Sequence, residues 1–458
     1  MRRVAVAVAV VVAGLTVPGT VAVAKNTDDR TVTPRHELVV PVDSAAGEVL
    51  IAFEARAPGT SWAKAGREST VLAVSIDAGP VSHLVVTGNE WQPHRALLGA
   101  VAAGRHRVVI EVAPSLSPVP GPVQVRRTEV RVMPPGGPAG VVTRHAPMLF
   151  GRSLPDHGGP GQNATTDTPL LAFHTISPAT GEGHRVIEYS LVWSNEDGGT
   201  DTTALMARWG RSTDIEWAYR LEVDERGAAV PGTQVFQGPD HAVTRFAGTY
   251  EGSHPRLQTC TANNNLCDRV VDGALRFFLD PVTALPAGRA REWVMDTQPW
   301  TYARMAHELI REGKLEQRAD PATDAVSDPA NYLYVEIDRD TSPPQAAPYA
   351  GLAVEVKLRN GRTYTSHKAQ PAWTIQRDEP AATAVELPPG TTAADVLELV
   401  ARRVPVYPVD PIATVTVTDV RRVFLLGRDH RPGPSFASFR GSAALDLLHP
   451  SASLWRRA

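Results

Sequence analysis

The stretch D-I-E-W-A-Y-R-L-E-V, from Asp214 to Val223, alternates polar residues with large apolar ones along most of its length. Side chains of a β-strand point to opposite faces of the sheet in turn, so the alternation sorts these residues onto two faces. One face receives Asp214, Glu216, Ala218, Arg220 and Glu222, and the other receives Ile215, Trp217, Tyr219, Leu221 and Val223. Acidic residues on one face and buried aromatic residues on the other predict an antiparallel sheet with one wet side.

Short segments of strand character also fill residues 36–132. E-V-L-I-A-F-E-A (48–55), T-V-L-A-V-S-I-D (70–77) and H-R-V-V-I-E-V (106–112) are separated by turn residues such as Gly79-Pro80. No segment here has a helical period, which favours an antiparallel β-sandwich. The piece L-L-G-A-V-A-A-G-R-H-R-V-V-I resembles a hairpin of jelly-roll carbohydrate-binding modules, although a generic hairpin has the same pattern.

A Pro/Gly-rich segment, M-P-P-G-G-P-A-G at 133–140, follows this sandwich. Its three prolines and three glycines predict a linker outside any helix or strand. Beyond it the sequence predicts a β-rich domain at 145–300 and an α+β part at 301–458, with helical patterns at 301–315 and from Thr392, where an acidic residue three positions later makes a variant of the capping box. No comparable linker divides these two parts, so one domain remains an alternative. The predicted fold is therefore mainly β: an N-terminal antiparallel β-sandwich, jelly-roll-like, plus a larger β-rich α+β unit.

The first residues have the features of a secretory signal peptide. A basic start, M-R-R, precedes twelve mostly apolar residues from Val4 to Leu15, and small residues follow at 22–24. This apolar run is shorter than the roughly 20 residues of a membrane-spanning helix. We therefore predict a signal peptide at 1–24, a secreted, extracellular protein, and no membrane association after cleavage.

The only two cysteines, Cys260 and Cys267, lie in T-C-T-A-N-N-N-L-C-D. In an oxidising compartment such a pair forms a disulfide. The closed loop is short, so the stabilisation expected from chain entropy is about 2.5 kcal/mol. The bridge is predicted to fix a local Asn-rich loop.

The charge balance excludes one class of partner. The chain has 46 basic and 49 acidic residues, a net charge of −3, whereas nucleic-acid and anionic-membrane binders carry a basic surface. Nucleophile-elbow, Walker and zinc-protease motifs do not occur in the sequence, which lowers the expectation of the common hydrolase classes without excluding carboxylate catalysis.

The candidate catalytic residues are the paired carboxyls Asp214 and Glu216, with Glu196 and His241. Two carboxyls on one strand face can act as general acid and base where burial separates their pKa values. The nearby Arg208 and Arg211 could equally neutralise the carboxylates in a solvated ion-pair face. The sequence leaves both alternatives open.

Two further sets of residues are candidates for ligand and metal binding. Aromatic rings beside planar donors suit a sugar, which predicts ligand binding by Trp193, Trp209, Arg208 and Arg211, although buried tryptophans also simply fill a core. Oxygen-bearing side chains around Gly198-Gly199 resemble extracellular calcium loops, so calcium is a candidate cofactor, with a plain turn as the alternative. Its predicted ligands are Asn195, Asp197 and Asp201.

The order Tyr189, Trp193, Asn195, D-I-E-W at 214–217, then His241 and G-S-H-P, resembles the Vps62-related family. The resemblance covers about 189–255, and this chain has Ile where that family places Trp between the two acids. It implies a β-rich fold and no defined chemistry. From all these patterns we predict a secreted, non-enzymatic protein that binds an extracellular glycan or other ligand. The alternative is a secreted hydrolase of an extracellular polymer that uses paired carboxylates.

Overall fold

The computed structural model describes residues 21–196, 198, 200–271, 274–406 and 412–457. Strands account for 45% of the chain and helices for 14%, so the predicted mainly-β class is confirmed. Most of the predicted signal peptide lies outside the described residues. Its last residues, from Val21, belong to the first strand, which pairs with Val123–Met133.

The N-terminal unit is an antiparallel β-sandwich, as predicted. Its sheets have the strand orders β1-β9-β4-β7, with β2 beside β9, and β3-β8-β5-β6. Valine-rich faces of both sheets enclose one apolar cluster. The strands are β1 (Val21–Asn26), β2 (Arg30–Val32), β3 (Leu38–Ser44), β4 (Gly47–Arg56), β5 (Thr70–Ile76), β6 (Ser82–Val86), β7 (Gln92–Val101), β8 (Gly104–Val112) and β9 (Val123–Met133).

The predicted linker at 133–140 is shorter than expected. Met133 is the last residue of β9, and Pro138 begins helix α1, since proline is well suited to the first helical position. Gly140 packs so closely on Pro134 that any Cβ would overlap its carbonyl oxygen. Residues 134–137 therefore lie between the two elements, and 138–140 form the first turn of α1.

The middle part carries most of the site, and its described residues contain two sheets and four α-helices. The five-stranded sheet has the order β11-β12-β13-β14-β15, and the second sheet contains β16, β17, β10 and β19 in that order, with β18 beside β17. The elements are α1 (Pro138–Arg144), β10 (Met148–Phe150), β11 (Pro169–Pro178), β12 (Arg185–Trp193), α2 (Thr202–Trp209), β13 (Asp214–Val223), β14 (Val235–Gln237), β15 (Val243–Arg245), β16 (Tyr250–Glu251), β17 (His254–Thr259), β18 (Leu266–Cys267), β19 (Arg276–Phe277), α3 (Trp293–Thr297) and α4 (Trp300–Arg311).

The C-terminal part is a second sandwich, with strand orders β23-β20-β25-β26 and β22-β21-β24-β27 around one apolar cluster. The capping box predicted at Thr392 is present, but it caps a single 3-10 turn, and the following valine-rich residues form a strand instead of the expected helix. The strands are β20 (Tyr332–Ser342), β21 (Ala350–Leu358), β22 (Thr363–Thr365), β23 (Ala381–Glu386), β24 (Val396–Pro405), β25 (Thr414–Leu425), β26 (Phe439–Leu445) and β27 (Ser451–Arg456).

Apolar clusters cross all the boundaries between these parts. Leu50 and Leu97 of the first sandwich belong to the same buried cluster as Tyr189 and Phe277. Helix α4 joins the middle sheet to the C-terminal sandwich in another cluster. Residues brought in from 377–380 therefore have a fixed position beside β13.

Candidate functional site

A polar cleft of about 430 Å³ lies where helix α2, strand β13, the disulfide loop and the segment before β23 meet. Seven of the residues singled out from the sequence line it. Its lining comprises Glu196, Thr200, Arg208, Trp209, Arg211, Asp214, Ile215, Glu216, His241, Asn263, Arg291, Glu292, Arg377, Glu379 and Pro380.

An irregularity in β13 decides which side chains reach this cleft. Trp193 pairs with Asp214, whereas Tyr189 pairs with Tyr219, because the register shifts by one residue near Ala218. Paired residues share a face of the sheet, so the shift turns the two ends of β13 over relative to each other. Asp214 consequently shares a face with Tyr219 instead of opposing it.

The prediction that Trp217 and Tyr219 lie on the same, inward face of β13 was therefore wrong for Trp217. Tyr219 is buried in the core as expected. Trp217 is half-buried on the other face, where the guanidinium carbon of Arg220 lies 4.6 Å from its ring centroid. A strict alternation cannot reveal an extra residue in one strand.

The end of helix α2 places the basic residues. Gly210 terminates the helix with φ of 64° and its N–H bonds to Met206 O at 3.0 Å. A left-handed conformation at this position favours glycine, and a Cβ would also press on the Thr383 backbone at 3.1 Å. The chain then reverses so that Arg208 and Arg211 both reach the cleft.

Arg211 is fixed by a buried ion pair. Its Nε donates to Glu292 Oε1 at 2.8 Å, and both side chains are less than a tenth exposed. Its guanidinium also donates to the carbonyl of Thr213. Arg211 therefore supplies positive charge from a rigid position beside the carboxyls.

The disulfide loop forms another wall. The predicted Cys260–Cys267 bridge is present, with the two Cα atoms 5.8 Å apart. Within the loop, Asn264 has φ of 51°, a left-handed conformation that asparagine tolerates better than most residues. Its Nδ2 donates to Asp214 Oδ2 at 3.1 Å and to Asn195 O at 3.2 Å.

A chain of hydrogen bonds joins Glu216 to Glu196 through His241. Gln237 Nε2 donates to Glu216 Oε2 and to His241 Nδ1, both at 2.7 Å. With the Asn263 amide oriented to satisfy its neighbours, His241 Nε2 donates to Asn263 Oδ1 at 3.3 Å and Asn263 Nδ2 donates to Glu196 Oε1 at 3.2 Å. In this network Nδ1 of His241 accepts a hydrogen bond and Nε2 donates one.

Burial changes the acidity of two carboxyls. Desolvation raises the pKa of Glu196 to about 7, with repulsion from Glu216 adding to it and Arg211 opposing it. Desolvation, together with the charges of Glu216 and Glu196, raises the pKa of Asp214 well above its usual range. Burial thus favours the neutral form of Asp214, and Glu196 exchanges its proton near pH 7.

Four of the predicted binding residues lie elsewhere or cannot be placed. Trp193 is fully buried in the core and does not line the cleft, so the structure gives no support to its predicted contact with a ligand. Asn195 is buried and its Nδ2 donates to Glu312 at 3.4 Å, while Asp201 occupies the N-cap position of helix α2, where its side chain is exposed and forms no capping hydrogen bond. Asp197 lies outside the described residues. The described part of the chain contains no group of three His, Cys, Asp or Glu side chains able to hold a metal ion, so a calcium site has no support from it.

Several cleft residues have no local signal in the sequence. These residues come from segments that lie far from β13 along the chain and contain no recognisable motif. They are Arg291, Glu292, Arg377 and Glu379. The triple Asn at 263–265 was the one available clue, because the adjacent cysteines fix that loop.

Comparisons with known proteins yield only weak likenesses. No family model matches the chain, and no curated protein matches it. The tandem domain CBM22-1–CBM22-2 of Xyn10C from Paenibacillus barcinonensis has 8% identity and a TM-score of 0.17 over 88% of this chain and 92% of that one. A family two carbohydrate esterase from Cellvibrio japonicus has 17% identity and a TM-score of 0.16 over 25% of this chain and 31% of that one.

A third similar structure comprises the CBM22-1 and GH10 modules of Clostridium thermocellum xylanase 10B. It has 9% identity and a TM-score of 0.18 over 29% of this chain and 33% of that one. This chain thus spans about a third of the length of the esterase and xylanase structures. The structural neighbours are carbohydrate-binding modules and carbohydrate-active enzymes, but likenesses at these scores carry no argument about function. Membership of the Vps62-related family stays a prediction.

Within the described ranges, no helix is long and apolar enough to cross a bilayer.

Proposed function

We propose that the cleft binds a short segment of an extracellular glycan. The observation that carries this proposal is the convergence of carboxyl, guanidinium, amide, imidazole and indole groups in one cavity of about 430 Å³. Sugar hydroxyls both donate and accept hydrogen bonds, and such a mixed lining can satisfy them in both roles. The volume lies within the range of about 300–1,000 Å³ that is common for small-ligand sites.

Rigidity supports a binding role. The Arg211–Glu292 ion pair, the hydrogen bond from Asn264 to Asp214 and the network through His241 hold the polar groups in place before a ligand arrives. Preorganised groups lose little conformational freedom on binding. The disulfide is compatible with the predicted secretion, because such bridges persist in oxidising compartments.

The test is a binding screen with a blocked cleft. Soluble polysaccharides are cast into native gels and retardation of the purified protein is measured. Thr200 lines the cleft, so Thr200→Trp should abolish retardation by filling the cavity. Thr31→Trp, on the exposed face of β2, is the control and should be retarded like the wild type. Equal retardation of both variants would place the ligand elsewhere.

A second candidate function is hydrolysis of the bound polymer. It is favoured by one observation: Glu196, with a pKa of about 7, and Glu216 face the same cleft. Glu196 would donate a proton to the leaving oxygen, and Glu216 would act as the base that activates water. Release of reducing ends from a bound polymer distinguishes catalysis from binding. Glu196→Gln should then abolish release while retardation in the gel persists.

A further inference from the structure

Three arginines of the cleft form no ion pair with any residue that the structure describes. They are Arg208, Arg291 and Arg377, in contrast to Arg211, which is paired with Glu292. Within the same described ranges, the guanidinium of Arg208 donates no hydrogen bond. Arg377 donates one, from Nη1 to the backbone carbonyl of Arg208 at 3.2 Å. Most of their N–H donors are therefore unused.

Arg208 and Arg377 surround one aromatic ring. Their guanidinium carbons lie 4.1 Å and 5.5 Å from the ring centroid of Trp209. Both guanidinium groups thus contact the same indole, and a cation–π contact of this kind stabilises a cation without supplying a hydrogen-bond acceptor for its N–H groups. Trp209 is for the same reason a poor platform for a sugar ring, since a cation already lies over it.

The two cations are held at an electrostatic cost. Burial lowers the pKa of Arg377 to about 10, and the charges of Arg211 and Arg208 act in the same direction, while those of Glu292 and Glu379 oppose it. Burial likewise lowers the pKa of Arg208, opposed only by Glu196. Glu196 is itself partly protonated near neutral pH, so it compensates this charge incompletely. Glu379 also lines the cleft but is exposed to solvent, which screens its charge.

We propose that Arg208 and Arg377 select an anionic glycan, whose acidic group their guanidinium groups bind at the Trp209 side of the cleft. This inference rests on the proposed glycan-binding function. A carboxylate, as in a uronic acid, matches the planar donor fork in two parallel hydrogen bonds. A sulfate ester offers the same charge and acceptor oxygens, so the chemistry shared by both is a fixed anionic substituent on the sugar.

The experiment compares polymers that differ in charge alone. Binding of the full-length protein is titrated with polygalacturonate and with its fully methyl-esterified form, in EDTA so that calcium does not gel the acid. Dextran sulfate and dextran form the second pair and separate sulfate from carboxylate. We expect the acid or the sulfate to bind at least about tenfold more tightly than its neutral counterpart, because charge-assisted hydrogen bonds are lost in the latter.

Variants assign that preference to the arginines. Arg208→Gln and Arg377→Gln should each weaken binding of the anionic polymer by about tenfold or more and binding of the neutral one by less than about threefold. Arg226→Gln, at an exposed turn outside the cleft, should leave both affinities unchanged. Arg208→Lys and Arg377→Lys keep the charge without the fork and should retain an intermediate preference, which also guards against misfolding of the Gln variants.

The possible results separate this inference from the function on which it rests. A charge preference that the Gln variants abolish supports it, whichever anion is preferred. Equal affinity for charged and neutral polymers, or a preference that survives in both Gln variants, overturns it and leaves glycan binding in place. Binding of none of the polymers, charged or neutral, overturns both.

Discussion

Asn264 donates a hydrogen bond from its Nδ2 to Asp214 Oδ2 at 3.1 Å. The donor belongs to the loop closed by Cys260 and Cys267, and the acceptor begins strand β13. A covalently closed loop thereby holds one carboxyl of the cleft, and through Asn263 it also contacts Glu196. The disulfide thus supports the site directly, although it closes too few residues to stabilise the whole fold strongly.

Removal of the disulfide should damage binding more than folding. For the double variant Cys260→Ser, Cys267→Ser we expect the free energy of unfolding to fall by at most about 2–3 kcal/mol, the loop-closure contribution of so short a loop. Glycan affinity should fall even under conditions in which the variant is still folded, because Asn263 and Asn264 lose their fixed positions. Urea unfolding and gel retardation measure the two effects. An unfolded variant, or one that binds normally, would contradict this.

The raised pKa of Glu196 predicts how stability depends on pH. In the unfolded chain this carboxyl loses its proton near pH 4.5, whereas in the folded protein its pKa is about 7. Between these values the folded state binds more protons than the unfolded state, so the contribution of Glu196 to stability is present below pH 4.5 and is lost as pH rises to about 7. The loss amounts to at most about 3 kcal/mol.

The matched variant for this effect is Glu196→Gln, which does not titrate. Its free energy of unfolding should decline less than that of the wild type between pH 4.5 and 7, because position 196 no longer titrates and the pKa of Asp214 is no longer raised by a charge there. Urea unfolding at several pH values gives the difference. If the two proteins show parallel profiles, Glu196 is not the buried carboxyl described above.

Trp62 couples the N-terminal sandwich to the rest of the protein. It is fully buried and donates from Nε1 to Glu308 Oε2 on helix α4 at 2.9 Å. We expect Trp62→Phe to lower the free energy of unfolding by about 1–3 kcal/mol, since it leaves a buried carboxylate oxygen without its donor. Denaturation followed by fluorescence and circular dichroism measures this loss. Trp91→Phe provides a control away from this contact.

The packing between the N-terminal sandwich and the middle part also determines whether the sandwich can be released as a separate domain. The Pro/Gly segment predicts that a protease cuts at 133–140 and releases a stable sandwich. Leu50 and Leu97 pack in the same cluster as Tyr189 and Phe277, however, and Gly140 is pressed onto Pro134. We expect limited proteolysis to leave 134–137 intact and unfolding to occur in one transition. Early release of a folded fragment of about 100 residues would support independent domains.

The sequence predicted those features that depend on neighbours along the chain. Alternating strands, helix α4 and the disulfide follow from local patterns, and so does the grouping of Arg208, Arg211, Asp214 and Glu216 around one turn. The extra residue near Ala218 has no such signature, which is why the face of Trp217 was assigned wrongly. Arg377 and Glu292 reach the cleft only through tertiary packing, so no pattern near β13 could indicate them. At Thr392 the capping signal was correct, but strand pairing of Val396–Pro405 prevailed over helix formation.

Substitution of two glutamates in strand β13 distinguishes a binding role of its carboxyls from a structural role. Glu216 lines the cleft and accepts a hydrogen bond from Gln237 at 2.7 Å, whereas Glu222 lies outside it and pairs with His184 at 2.6 Å. Glu216→Gln keeps the size of the side chain and an acceptor for Gln237, so stability should change by less than about 0.5 kcal/mol while glycan binding or turnover is lost. Removal of the charge should also lower the pKa of Glu196, which Glu216 now raises.

The control variant Glu222→Gln should bind normally, and its free energy of unfolding should fall by about 0.2–1 kcal/mol, as expected for a partly exposed pair. Thermal unfolding beside the polysaccharide screen measures both outcomes. Normal binding with reduced stability in Glu216→Gln would mean that the carboxyls of β13 serve an ion-pair network and not a ligand.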